Sequence, residues 1–127
     1  MSMSSSRPYL IRALYEWIVV NNCSPYLLVN ATVENTVVPQ EYVSKDKIIL
    51  NIAPKAVRDL QLGNTVVEFN ARFSGKSFSV SVPISAVMAI YAIENGRGMV
   101  FSDDDDDSPA PEDGDNKAAR ANLKVVK

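Results

Sequence analysis

Residues 65–73 read Thr-Val-Val-Glu-Phe-Asn-Ala-Arg-Phe, and from Val67 onward their character switches at every step. Val67, Phe69, Ala71 and Phe73 fall on one side of an extended chain, and Glu68, Asn70 and Arg72 on the other. A period of two marks a strand with one buried face; an amphipathic helix needs a period near 3.6. Ser74-Gly75 follows, a pair suited to a tight turn, and residues 77–82 alternate again with Phe78, Val80 and Val82 on one side. Two such runs across two turn residues predict a β-hairpin.

The rest of the body is organised around that hairpin. Residues 8–21 carry helical spacing: Ser5 or Ser6 is a candidate cap, and Pro8 suits the first turn, where a missing N–H costs nothing. Arg12 and Glu16 are spaced as an i,i+4 pair. Leu10, Leu14, Trp17 and Ile18 form one apolar stripe, which Ile11 and Tyr15 widen. A stripe this wide is consistent either with a helix covered by its own domain on one side and a second copy on the other, or with one sunk deeper into its own domain. After Ser24-Pro25 the pattern turns to strands at residues 26–33 and 46–52, the latter rich enough in isoleucine to suggest burial on both faces. Residues 54–62 are short enough for a helical turn. Residues 85–93 fit helix or strand, and the Gly96-Arg97-Gly98 turn before Met99-Val100-Phe101 favours a last hairpin. One helix and six or seven short strands predict a mostly β fold with an N-terminal α-helix, a small barrel or sandwich.

Function classes narrow by elimination. The 127 residues contain no histidine, and Cys23 is the single cysteine. A disulfide within the chain, a cysteine-rich metal site and a His-activated nucleophile are thereby excluded. No phosphate-binding glycine loop or nucleophile elbow is present. The reading is a non-enzyme without cofactor or metal. The first residues lack an apolar signal core and no run is long enough to span a membrane, so a cytoplasmic protein is expected. Residues 1–101 hold nine Lys/Arg against seven Asp/Glu, a net of +2, while residues 102–127 hold four against eight, a net of −4. A body so near neutrality lacks the basic field of a nucleic-acid binder, so nucleic acid is an unlikely partner.

The acidic end has its own organisation. Residues 102–122 carry the run Asp103 to Asp107, two prolines and one glycine, and read as a disordered linker kept extended by self-repulsion. Beyond it stands a small apolar-basic module, Leu123, Lys124, Val125, Val126 and Lys127. One reading is a hook on a solvated tether; the other is a ragged terminus that happens to hold two valines. The division is a domain at 1–101, a linker at 102–122 and a terminal module at 123–127.

With catalysis set aside, binding remains. Ala71 lies between Phe69 and Phe73 on one strand face, and Ala53 follows the apolar run ending at Ile52. A small residue among large ones adjusts core packing or floors a shallow groove, and peptide grooves use such floors beside strand edges. Arg72, Lys76 and Arg97 are candidate contacts to an acidic peptide, and equally solvated surface charges. Met99 and Phe101 join the groove by apolar character alone.

Arg7-Pro8-Tyr9-Leu10, Tyr15-Glu16-Trp17, Val38-Pro39, Leu50-Asn51-Ile52-Ala53-Pro54, Phe69-Asn70-Ala71-Arg72-Phe73, Val80-Ser81-Val82-Pro83, Ala89-Ile90-Tyr91-Ala92 and Glu94-Asn95-Gly96 resemble, in order, the stringent starvation protein B family, as does the terminal module. The resemblance implies an Sm-like β-barrel whose N-terminal helix mediates homodimerisation, here through Leu10, Leu14, Trp17 and Ile18. It implies an adaptor for the ClpXP protease that binds ssrA-tagged polypeptides. Residues 123–127 would dock on the N-terminal zinc-binding domain of ClpX. Motif match adds Asn51, Ile52 and Ala53 to the peptide-binding set of Phe69, Ala71, Arg72 and Phe73. The acidic linker is short for the family; it would still span about 25 Å r.m.s. if flexible. The rival reading is a small RNA-binding domain, since Sm-like folds often bind RNA; the acidic tail and near-neutral body argue against it.

Overall fold

The computed structural model describes residues 3–102, in the order α1 (Arg7–Val20), β1 (Pro25–Asn30), β2 (Lys47–Asn51), β3 (Val57–Leu62), β4 (Val66–Phe73), β5 (Lys76–Pro83), β6 (Val87–Ala92) and β7 (Gly98–Val100). Short 3-10 turns stand before β2 and between β5 and β6. All strand pairs are antiparallel, in a four-stranded sheet of order β2-β1-β6-β7 and a three-stranded sheet of order β3-β4-β5. A single bridge, Val37 to Ser81, brings the β1–β2 connection against β5. The mostly β fold with one N-terminal helix is the expected one, but the sheets do not join into a closed barrel. The linker and the terminal module both fall outside the described residues.

The β4–β5 hairpin forms in the register the alternation implies, with Phe69 opposite Val80, Ala71 opposite Phe78 and Phe73 opposite Lys76. Ser74 and Gly75 both take positive φ, +55° and +83°, which matches the right-handed twist of the flanking strands. Leu27, Val29, Leu50, Ile52, Val67, Val80, Val82, Val87 and Ile90 fill the space between the sheets, and Ile11 and Ile18 close it from α1.

Three sequence expectations change. Ile49 is 56 % exposed, so β2 is buried on one face only; an edge strand has a partner on one side and the core beneath one face. Residues 57–62 form β3 rather than a helical turn, because β4 offers a free edge and Val57, Leu60 and Leu62 pack on the core. Residues 87–92 resolve as a central strand between β1 and β7.

Arg7 stood in a quoted motif, but the sequence assigned it no role. It is 2 % exposed at the start of α1. Its guanidinium donates to the carbonyl oxygen of Val87 at 3.0 Å and of Ser102 at 2.7 Å, and lies 5.2 Å from the Phe101 ring centroid. One side chain thus joins the helix, the start of β6 and the residue after Phe101.

Candidate functional site

Asn51 ends β2, and its side-chain oxygen accepts from the Ala53 N–H at 3.0 Å; the Ala56 N–H then reaches the Ala53 carbonyl at 2.8 Å. Asn favours this kind of local turn. Ile52 anchors the segment from below, fully buried, donating its N–H to the Pro25 carbonyl. The turn carries Pro54, Lys55 and Ala56 beside the start of β3. There Val57 pairs with Ala71 and Arg58 with Asn70.

The result is a cleft of about 730 Å³ whose walls include Lys55, Ala56, Arg58, Asn70, Ala71 and Arg72. Ala71 lies between Val57 on one neighbouring strand and Phe78 on the other, so its methyl leaves space where a larger side chain would stand. Asn70 ties the three strands together: Ser79 Oγ donates to Asn70 Oδ1 at 2.7 Å, and Asn70 Nδ2 donates to Asp59 Oδ2 at 3.2 Å. Asp59, at φ +56°, sits where the β3–β4 register slips, and the bulge bends the strand edge next to the cleft. Past Ala71, half-buried Phe73 and Phe78 pack edge to face at 6.1 Å, and Tyr42 packs on Phe73 at 5.4 Å with its hydroxyl bonded to Ser74. They form an apolar shelf at the tip of the hairpin.

The cations here are uncommitted. Arg7 and Arg12 spend their guanidinium groups on backbone carbonyls, Arg12 on that of Leu62 at 2.9 Å. Among the described residues the side chains of Lys55, Arg58, Arg72 and Lys76 have no such partners, and all four are exposed. Charge is concentrated with them. Residues 55–76 hold these four bases against Asp59 and Glu68, while the rest of residues 1–101 balances five bases with five acids. The whole +2 excess of the body therefore falls on this sheet and the turn that leads into it.

The sequence-derived site divides on this geometry. Ala71 and Arg72 line the cleft; Asn51 and Ala53 build the turn beside it; Phe73 and Lys76 pair at the adjoining hairpin tip. Ile52, Phe69 and Phe101 are core residues, at 0 %, 3 % and 7 % exposure, and act as framework. Arg97 lines a different cavity of about 430 Å³ with Trp17, Ile18 and Cys23, and Met99 is partly buried against the core. Lys55, Ala56, Arg58 and Asn70 were missed. Pro54 stood in a quoted motif, so extending that motif by two residues would have found Lys55 and Ala56.

On α1, Ile18 faces inward at 2 % exposure because it packs into the core. Leu10 and Leu14 are half-buried, while Tyr9, Trp17 and Val20 are exposed apolar side chains. Their spacing of eight and then three places Tyr9, Trp17 and Val20 along one side of the helix.

Near the C-terminal end of α1, Glu94 binds the start of β1 to the β6–β7 connection. Its carboxylate accepts from the Ser24 N–H at 2.7 Å and the Ser24 hydroxyl at 2.8 Å, and these bonds hold its pKa below the ordinary value. Across β1 and β6, Tyr26 and Tyr91 are paired neighbours; burial, and then Tyr26, push the Tyr91 hydroxyl up. No helix among the described residues is long and apolar enough to cross a membrane.

Residues 5–127 match the family model described as stringent starvation protein B. Over 98 residues the chain is 49 % identical to a protein named stringent starvation protein B homolog from Haemophilus influenzae. That alignment covers 77 % of this chain and 65 % of the relative, so the matched part spans just under two thirds of the relative's length. The chain belongs to the stringent starvation protein B family.

Proposed function

We propose that this member of the stringent starvation protein B family is a non-enzymatic, homodimeric adaptor of the cytoplasm. It holds an ssrA-type tag peptide in the β3–β4 cleft and delivers the tagged protein to ClpXP. The observation that carries this reading is the cleft itself. An extended peptide finds a small-residue floor at Ala71, an apolar shelf at Phe73 and Phe78, and a bent strand edge at β3. Lys55 and Lys76 stand beside that floor and shelf with cations free to meet its carboxylates, while Arg58 and Arg72 project from the opposite face of the same strands and flank the edge.

Ile52 and Phe69 support the floor, and Asn51 and Ala53 set the turn. Arg97, Met99 and Phe101 lie apart from this cleft and have no direct contact in the scheme. The exposed stripe of α1 is the dimer surface, with Leu10, Leu14 and Trp17 at its centre and Ile18 behind them. Leu123, Lys124, Val125, Val126 and Lys127 form the hook for the N-terminal zinc-binding domain of ClpX. A tethered hook makes capture and delivery one intramolecular encounter, with effective concentrations in the millimolar range for short flexible linkers.

The deciding experiment is fluorescence anisotropy of a labelled ssrA-type peptide titrated with the full chain. Saturable binding is expected, weakened at least fivefold in the Arg58→Gln/Arg72→Gln double variant. No binding by the folded wild-type protein would remove the cargo assignment. Deleting residues 123–127 is expected to leave peptide affinity intact and to end enhanced degradation by ClpXP; undiminished degradation would refute the hook.

A further inference from the structure

The charge map contains both halves of an intramolecular contact. The body's entire +2 excess lies on the β3-β4-β5 sheet and the turn before it, around a cleft whose exposed cations have no partners among the described residues. The chain's densest negative charge lies directly after the last described residue: residues 103–115 carry eight acids, five of them consecutive, and no base. The root of that segment is fixed. The Phe101 N–H donates to Met88 at 2.8 Å, and the Ser102 carbonyl accepts from buried Arg7 at 2.7 Å.

We infer that residues 103–115 of this chain occupy the β3–β4 cleft in the absence of cargo, as a built-in acidic competitor. The inference rests on the cargo reading only for the word competitor; the contact itself follows from charge and reach.

Reach is sufficient. A domain of about 100 residues has a radius of gyration near 13 Å and is roughly 33 Å across. Thirteen residues extend to about 43–47 Å. Asp103 to Asp107 reach at most about 18 Å from Ser102, while Glu112, Asp113 and Asp115 reach about 33–47 Å, as far as the body is wide. Chemistry selects the cleft among the faces in reach, because elsewhere the body's charges balance. The contact is weak by construction: exposed ion pairs contribute little each and are screened by salt. Tethering compensates by holding the acids at a local concentration in the millimolar range. Such a contact yields readily to a peptide that adds apolar anchors on Ala71 and Phe73. It would still discourage weakly acidic chance ligands.

The test uses the full chain with no cargo. Ser108→Cys, in a Cys23→Ser background, carries a nitroxide label; Ser retains a donor for the bond Cys23 makes to the Asn21 carbonyl. At about 25 mM salt the label is expected to broaden the amide signals of Lys55, Ala56, Arg58, Ala71 and Arg72 more than those of Ile49. The broadening should vanish near 0.5 M salt, where the Debye length is about 4 Å. It should also vanish in Arg58→Gln/Arg72→Gln, and should not depend on protein concentration. Broadening confined to the neighbours of Ser102, or indifferent to salt and to the double variant, overturns the inference. A parallel titration changes residues 103–107 to Asn and is expected to tighten cargo peptide two- to fivefold at low salt only. Cargo binding without cleft broadening refutes the inference and leaves the adaptor reading in place. Cleft broadening without cargo binding refutes the adaptor reading and leaves the self-contact standing.

Discussion

Replacing Arg7 with Met tests the least expected feature of the fold. The side chain is of similar length and apolar, so the change removes charge and hydrogen bonds with little change in packing. Three bonds are lost, to Val87 at 3.0 Å, to Ser102 at 2.7 Å and a longer one to Ser85 at 3.4 Å, together with the contact over Phe101. The Val87 carbonyl is left buried without this donor, at a cost of about 1–3 kcal/mol. The exposed Ser102 carbonyl regains water and costs less. Loss of the ring contact adds about 1 kcal/mol. Relief from burying a charge offsets part of the total. The expected net loss is about 2–4 kcal/mol, or roughly 10–25 °C in Tm for a domain of this size. Urea unfolding of the full chain measures it as a fall in midpoint at unchanged slope. Arg7→Lys should also destabilise, since an ammonium lacks the fork that reaches two carbonyls at once. A loss below about 1 kcal/mol for Arg7→Met would refute the clamp, because an unsatisfied buried carbonyl alone should exceed it.

Three further outcomes follow from the same geometry. Ala71→Gln fills the space between Val57 and Phe78 and should weaken tag-peptide binding by at least tenfold by anisotropy, with the fold retained by circular dichroism; unfolding would make Ala71 a packing residue instead of a floor. Trp17→Asp, at a position 41 % exposed, should give a folded monomer by light scattering; a persistent dimer would move the interface off α1. Glu94→Gln concerns a carboxyl held below its ordinary 4.5, so its contribution to stability is present above that pH and is lost as pH falls through the lowered folded value. Wild type should therefore unfold more steeply than Glu94→Gln as pH drops below 4.5, and parallel acid-unfolding curves would refute the Ser24 contact.

Local chemistry made much of this protein legible. The period of two across residues 65–82 set a hairpin whose register the structure repeats, because alternation admits only one way to bury Val67, Phe69, Val80 and Val82 together. Serine and Pro8 before an apolar stripe marked α1 to within a residue at each end. Ala71 and Arg72 drew notice because a small residue and a base stand out within one strand, and both line the cleft. What stayed hidden depended on distant partners. Residues 57–62 lack clean alternation and become a strand only because β4 presents a free edge. Ile48 and Ile49 look alike in sequence, yet one is buried and the other exposed, since successive side chains of β2 point to opposite faces and only one face has the core beneath it.

The sequence by itself determined the inventory: which segments extend or coil, which residues carry charge, and that no histidine or second cysteine is available for chemistry. These depend on side-chain type and on periods of a few residues. The tertiary structure alone decided which charges are spent and which are free. Arg7 and Arg72 have the same guanidinium, but Arg7 lies under the end of β7 among carbonyls that need a donor, while Arg72 projects from an uncovered sheet beside a cleft. Arg97, chosen with Arg72 for its charge, went to another cavity because β7 pairs with β6 and not with the β3–β5 sheet. Desolvation and hydrogen bonding act through contacts between residues far apart in the chain, and those contacts exist only once the two sheets have closed over α1.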